Sequence, residues 1–272
     1  MDGGKPPLNG GVNINPSDTD ELRIEAVDGV LTVLFNRPKQ RNAMTWAMYE
    51  GLVTACERAD ADPGIRALVL RGAGGAAFVA GTDIAQFADF LDGADGVDYE
   101  RRTTAILTRL AEVTVPTVAA IDGFCVGAGL AIASACDLRI SSPDARFGVP
   151  IARTVGNCLS AATLALVSGH LGTARTTDLL LTARLASAEE LAPTGFLAEV
   201  TEDVDGALAR LLSRLAGHAP LTMWATKTAL RRLREAVSVE DDDVVARVYG
   251  SRDFRAGVAA FGEKRAPEWT GE

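Results

Sequence analysis

Residues 115–150, VPTVAAIDGFCVGAGLAIASACDLRISSPDARFGVP, decide how the rest of the chain is read. Thr117 to Ile121 is an apolar run of the length and β-branched content expected of a strand buried on both faces. A turn punctuated by Gly123, Gly127 and Gly129 follows, and Leu130 to Cys136 is a run of small and apolar residues with helical character. Strand, glycine turn and helix start, in that order, leave unpaired backbone N–H groups pointing out of the turn. Such a turn is a ready site for negative charge.

A second unit of the same kind lies upstream. Ala67 to Arg71 reads as a buried strand, followed by Gly72, Gly74 and Gly75, then FVAGTD (residues 78–83) and an apolar-periodic helix from about Ile84 to Leu91. If the two strands share a sheet, both turns open at one edge. One N–H from each turn is then placed to grip a single oxygen, the geometry that stabilises an enolate formed from a thioester carbonyl. Either turn alone reads as a tight connection with no ligand. A dinucleotide fold is a further option, but neither turn carries an ordered G-x-G-x-x-G.

The 272 residues suffice for one large domain, or one domain with an appendage. No uninterrupted apolar run is long enough to cross a bilayer. A net charge of -9 argues against nucleic acid or an anionic membrane as a partner, so an anionic ligand has to be held by local cations. Cys56, Cys125, Cys136 and Cys158 form no C-x-x-C pair, which favours reduced thiols in a cytoplasm. With only His170 and His218, a histidine-rich metal site is not expected, and no metal is assigned. Residues 1–20 lack the apolar segment of a signal peptide and read as a flexible leader.

In chain order, Leu22–Val27 and Val30–Phe35 are expected to form a hairpin across Asp28-Gly29. Arg37, Lys39 and Arg41 stand in the next loop, suited to phosphates or simply solvated. A helix is expected from Thr45 to Asp60, a loop over Ala88 to Asp98, and a helix from Tyr99 to Val113 with Ile106, Leu107, Leu110 and Val113 on one stripe. Leu138 to Ser142 is a strand; Asn157 to His170 and Thr173 to Thr182 are helices. Ser187 to Glu190 carries a capping signature, and Phe196 to Val200 is a short strand. Beyond Asp205 the pattern is helical only, including Leu221 to Val237 and Val244 to Phe261. A mixed body with such a tail suggests three parts: leader 1–20, α/β core 21–203, and a helical oligomerisation region 204–272.

Four stretches in register resemble the crotonase superfamily, the enoyl-CoA hydratase/isomerase family, from Leu22 to the C-terminus. They are LFNRPKQRNAM around Arg37, FVAGTDIAQF around Asp83, VPTVAAIDGFCVGAGLAIASACDLRI around Gly127, and the tail SRDFRAGVAAFGEKRAPEW. The resemblance implies an α/β fold, a spiral of β–β–α turns with a C-terminal helical trimerisation region, assembled as a homotrimer or homohexamer. It implies a coenzyme A thioester as substrate, with no permanently bound cofactor. It assigns the oxyanion N–H groups to Thr82 and Ala128, and puts Arg37, Lys39, Phe78, Ala80, Asp83, Ile84 and Gly127 beside the CoA ester. Phe261 and Lys264 match residues that reach a neighbouring subunit's nucleotide.

Two departures bear on the chemistry. Family hydratases carry a glutamate where this chain has Ala131, and a second one after F-G-x-P, where this chain has Ile151 and Ala152. Between Arg146 and His170 there is no Asp or Glu. Hydration needs one group to take a proton from water and one to deliver a proton to carbon. Weak hydration is therefore expected. Cys158, Asn157, Ser160 and Arg153 are candidate replacements, Cys158 as a nucleophile or acid/base if its pKa is lowered. A small buried side chain is the plainer reading of Cys158. Asp89, Asp92 and Asp95 are candidates too, or a solvated acidic loop; Asp83 is expected to cap a helix. Isomerisation, thioester hydrolysis or a lyase step on the same enolate, and a non-catalytic CoA-ester binder, stand as alternatives to a hydratase-type lyase.

Overall fold

The structure, a computed structural model, describes residues 20–236 and 239–272. The expected leader therefore lies, but for Asp20, outside the described residues, as does Val237 at the end of one expected helix. Strands β1 (Leu22–Val27) and β2 (Val30–Phe35) pair antiparallel, and Asp28 and Gly29 both take positive φ (51° and 79°), as a two-residue hairpin turn requires. Helix α1 (Trp46–Ala61) starts where the Thr45 hydroxyl accepts the Met48 N–H, and buries Met48, Leu52, Ala55, Cys56 and Ala59 at helical spacing.

From there the chain repeats one unit: a strand, a short strand, a helix. First come β3 (Ala67–Gly72), β4 (Ala77–Val79) and α2 (Gly93–Glu112); then β5 (Thr117–Ile121), β6 (Phe124–Val126) and α3 (Ala128–Ala135). The third turn has β7 (Leu138–Ser141), β8 (Arg146–Gly148) and α4 (Ile151–Thr154), followed by α5 (Ala161–Leu171) and α6 (Thr173–Thr182). Then β9 (Ala186–Ser187), α7 (Ala188–Leu191) and β10 (Glu199–Val200) close the core. The first strand of each unit enters a six-stranded sheet ordered β1-β2-β3-β5-β7-β10, and the second enters a four-stranded sheet ordered β4-β6-β8-β9. Strands β3, β5 and β7 run parallel, as do β4, β6 and β8, so every turn leaves its sheet at the same edge. This is the β–β–α spiral that the motifs imply.

Four expectations need correction. The stretch expected as a helix from Ile84 to Leu91 is a single 3-10 turn, Ile84–Phe87, after which Phe87 and Phe90 pack into an aromatic cluster. The stretch 93–98, expected as loop, is the first part of α2, because Asp92 and Asp95 form a reciprocal capping box. The helix expected from Asn157 starts at Ala161, capped by Ser160. The long final helix is two, α10 (Asp242–Tyr249) and α11 (Arg252–Gly262), with Ser251 capping the second.

The core fills the space between sheets and helices with Phe35, Tyr49, Phe78, Phe147 and Phe196, all at most 1% exposed. In the tail, α8 (Val204–Ala216) seals the other face of the large sheet with Val204, Ala207 and Leu208 against Val69, Val118 and Ile140. Helix α9 (Pro220–Glu235) buries no residue of its own and leaves Leu221, Leu230 and Leu233 exposed. Helices α10 and α11 fold back onto α2 and the aromatic cluster. Among the described residues no helix is long and apolar enough to cross a membrane.

Candidate active site

The two glycine turns meet. At Gly127 φ is 58°, which favours glycine, and a Cβ there would stand 3.3 Å from Gly81 Cα. Gly129 lies so close under β4 that a Cβ would fall 2.0 Å from the Val79 carbonyl oxygen. In the first turn, Met44 N–H donates to Gly81 O and Asp83 N–H donates to Met44 O, both at 2.9 Å. That parallel bridge turns Thr82's own N–H to the opposite side. In the second, Gly127 N–H donates to Gly148 O at 2.9 Å, and Ala128 is the first residue of α3, where no intrahelical acceptor exists. Neither the Thr82 nor the Ala128 amide has an acceptor among the described residues.

Both residues line one cavity of about 430 Å³, within the range of small-molecule sites. Its sheet-side wall is Ala80, Gly81, Thr82, Val126, Gly127, Ala128 and Ala131. Its helix-side wall is Tyr99, Glu100, Thr103 and Leu107 of α2, with Asn157, Leu159 and Phe261. Helix α3 is pinned from behind. Buried Arg139 donates to Ala133 O and Cys136 O at the helix's C-terminal end, and His170 Nε2–H donates to Ser134 O at 2.9 Å. The Thr82 hydroxyl bridges the hydroxyls of Tyr49 (2.9 Å) and Tyr99 (2.8 Å). Burial holds both phenols neutral, pushing Tyr49 up to about 12 and Tyr99 well above its ordinary value.

Of the residues singled out from the sequence, Ala80, Thr82, Asp83, Ile84, Gly127, Ala128 and Phe261 line this cavity. Phe261 thus lies on its own chain's cavity, and it joins it to an adjacent groove lined by Arg255 and Lys264. Besides Lys264 and Cys158, three of these residues stand elsewhere. Phe78 is fully buried against Phe35, ring centroids 5.5 Å apart. Arg37 is committed internally: its guanidinium pairs with Glu21 (3.1 Å) and Asp83 (2.9 Å) and donates to Ala43 O. Lys39 lies on the loop's single 3-10 turn and is not on the wall, whereas Arg41 is, stacked over Phe124 at 4.9 Å.

Cys158 does not line the cavity either. It packs against the aromatic cluster, and burial, with Glu100 and Asp241 adding to it, pushes its thiol up to about 12. The lowered pKa that a nucleophilic thiolate needs is reversed here. Asp92 and Asp95 are spent on capping α2. Asp89 does not reach the wall.

The residue that sequence reasoning missed is Glu100. It is on the cavity wall, 4% exposed, and burial raises its pKa. The signal was present: extending the α2 stripe back from Leu107 through Thr103 by helical steps reaches a glutamate at a core position. Among the described residues no group of three or more His, Cys, Asp or Glu is arranged to hold a metal.

Comparison with known proteins supplies the context. The enoyl-CoA hydratase/isomerase family matches residues 25–272. A (E)-benzylidenesuccinyl-CoA hydratase from Thauera aromatica is 33% identical over 259 residues, covering 92% of this chain and 99% of its own. A solved enoyl-CoA hydratase/carnithine racemase from Magnetospirillum magneticum is 32% identical, with TM-score 0.76 over 94% of this chain and 97% of its own. A methylmalonyl-CoA decarboxylase in complex with 2-nitronate-propionyl-CoA shares the fold at TM-score 0.84 and 23% identity, over 93% of this chain and 99% of its own.

Proposed function

The chain belongs to the enoyl-CoA hydratase/isomerase family, and on that premise we propose that it binds an acyl-CoA thioester and stabilises the ester's enolate between the Thr82 and Ala128 amides. The observation that carries this reading is the pair of acceptor-free amides in two touching turns on one cavity wall. Each such donor is worth about 10²–10³-fold in rate when aimed at the developing oxyanion. In a chain of net charge -9, Arg41 at the wall and Lys264 in the adjoining groove are the local cations suited to the CoA phosphates. The thioester is substrate, and no permanently bound cofactor is assigned.

Hydration is not the reaction this wall favours. Where the resemblance puts the hydratase carboxylates, Ala131 contributes a methyl group to the wall and Ile151 starts α4. Neither can take a proton from water. Crotonyl-CoA is the test. Calorimetry is expected to show binding, while loss of the enoyl absorbance runs orders of magnitude below a family hydratase assayed alongside. Turnover at the hydratase's rate contradicts the proposal. The same missing carboxylates support a non-catalytic CoA-ester binder as the second reading.

The exposed leucines of α9 support a homotrimer or homohexamer, and sedimentation showing a monomer would remove that. Four free cysteines, three of them buried, support a reducing compartment such as a cytoplasm.

A further inference from the structure

One carboxylate interrupts the buried stripe of α2. Tyr99, Thr103, Leu107 and Leu110 face inward, and Glu100 stands among them at 4% exposure. A buried carboxylate is costly unless charge or hydrogen bonds compensate it. Among the described residues no cation pairs with Glu100; it is held by two hydrogen bonds. The Tyr249 hydroxyl donates to Oε1 at 2.7 Å and the Ser160 N–H donates to Oε2 at 2.9 Å. The Tyr249 oxygen in turn accepts from the Asn157 side-chain amide at 3.1 Å, while Asn157 Oδ1 is buried with no partner among the described residues.

The contact that brings Tyr249 here is unusually close. A Cβ at Gly96 would fall 2.1 Å from the Tyr249 ring, and one at Gly93 2.0 Å from the Ala246 carbonyl oxygen. Glycines on α2 let α10 approach far enough to reach the carboxylate. Glu100 and Asn157 both border the cavity that holds the Thr82 and Ala128 amides.

We propose that Glu100 is the proton-transfer group of this cavity, acting on the acyl chain of a thioester whose carbonyl the two amides hold. The assignment rests on the thioester reading above and adds to it the group that moves the proton. One carboxylate suits a 1,3-proton shift better than hydration. On a 3-enoyl thioester the Glu100 carboxylate takes a proton from C2. The C–H electron pair forms the C1=C2 bond of the enolate, and the carbonyl π pair moves onto the oxygen between the amides. When that pair returns, the C1=C2 pair becomes the new C2=C3 bond, the old C3=C4 pair takes the proton at C4, and the carboxylate is regenerated. One group and one proton suffice, and no water enters.

Burial supports this use by raising the pKa of Glu100, which makes its carboxylate a stronger base. The titratable groups around it are Tyr99 on its own helix, Tyr49 on α1, Cys158, Tyr249 on α10 and Asp241 just before it.

The full chain is tested with trans-3-hexenoyl-CoA, followed by the absorbance of the conjugated product, and with butyryl-CoA in D₂O, followed by loss of the C2 proton signal. Glu100→Gln is expected to lower both rates by about 10²–10⁴-fold, with the calorimetric affinity for butyryl-CoA unchanged. Wild-type rates in Glu100→Gln overturn the assignment. So does a wild-type chain that binds butyryl-CoA yet neither isomerises nor exchanges. Failure of the wild type to bind any acyl-CoA instead overturns the thioester reading underneath.

If Glu100→Gln does not fold, Tyr249→Phe decides. Losing a donor to the carboxylate is expected to move the rise of exchange with pH to higher pH. A Tyr249→Phe profile superimposable on wild type overturns the assignment.

Discussion

On the sheet side, the cavity wall is backbone and methyl groups: the Thr82 and Ala128 amides, the glycines between them, Ala80 and Ala131. On the helix side, the wall carries polar side chains: the Tyr99 hydroxyl, bonded across to Thr82, and the Glu100 carboxyl and Asn157 amide, both bonded to the Tyr249 hydroxyl behind them. The first wall comes from the turns that leave the parallel strands β4 and β6. The second comes from α2, α11 and the 155–160 loop, with α10 packed behind it. We read the first wall as what holds the ester and the second as what decides the reaction.

Gly96→Ala separates the two walls most sharply. The added methyl meets the Tyr249 ring and pushes α10 off α2, at a cost of about 1–3 kcal/mol for overpacking. A thermal melt is expected to show that loss. Exchange at C2 is expected to collapse while acyl-CoA affinity stays near wild type. Equal loss of binding and exchange would mean that the walls are one unit.

A smaller effect comes with pH and carries opposite signs on the two sides. His170, behind the sheet-side helix α3, is pushed down to about 4 by burial, with the Arg139 cation adding to it. Its folded pKa lies below the unfolded value, so the folded state binds fewer protons in between, and stability is lost as pH falls from about 6.5 toward 4. Glu100 is raised, so its contribution is present below the unfolded carboxylate pKa and is lost as pH rises through the folded one. Thermal melts across pH are expected to lose the acid-side slope in His170→Gln, and the slope above the ordinary glutamate range in Glu100→Gln. Unchanged slopes would remove these groups from the account.

The two walls were also unequally legible in the sequence. The hairpin across Asp28-Gly29, the strand at Thr117 and the glycine turns depend on local chemistry, and their reading carries straight into the structure. The four-stranded sheet was invisible because β4, β6 and β8 have three residues each, too few for a periodicity, and their partners lie in other turns of the spiral. The start of α2 was hidden because acidic residues and glycines usually mark loops. Here the acids cap the helix and the glycines admit α10. Arg37, the conspicuous cation, turned out to be pinned by Glu21 and Asp83, partners distant in sequence.

The central claim is that two amides from separate turns hold the oxygen of one thioester carbonyl. The most direct measurement is the isotope-edited carbonyl stretch of butyryl-CoA labelled at C1, free and bound, in the wild type and in Ala128→Pro. Proline removes the N–H at the first position of α3, where its ring is tolerated. The account predicts a shift to lower frequency on binding to the wild type that shrinks markedly in Ala128→Pro. A bound carbonyl vibrating as it does in water, or a shift indifferent to that substitution, would contradict it.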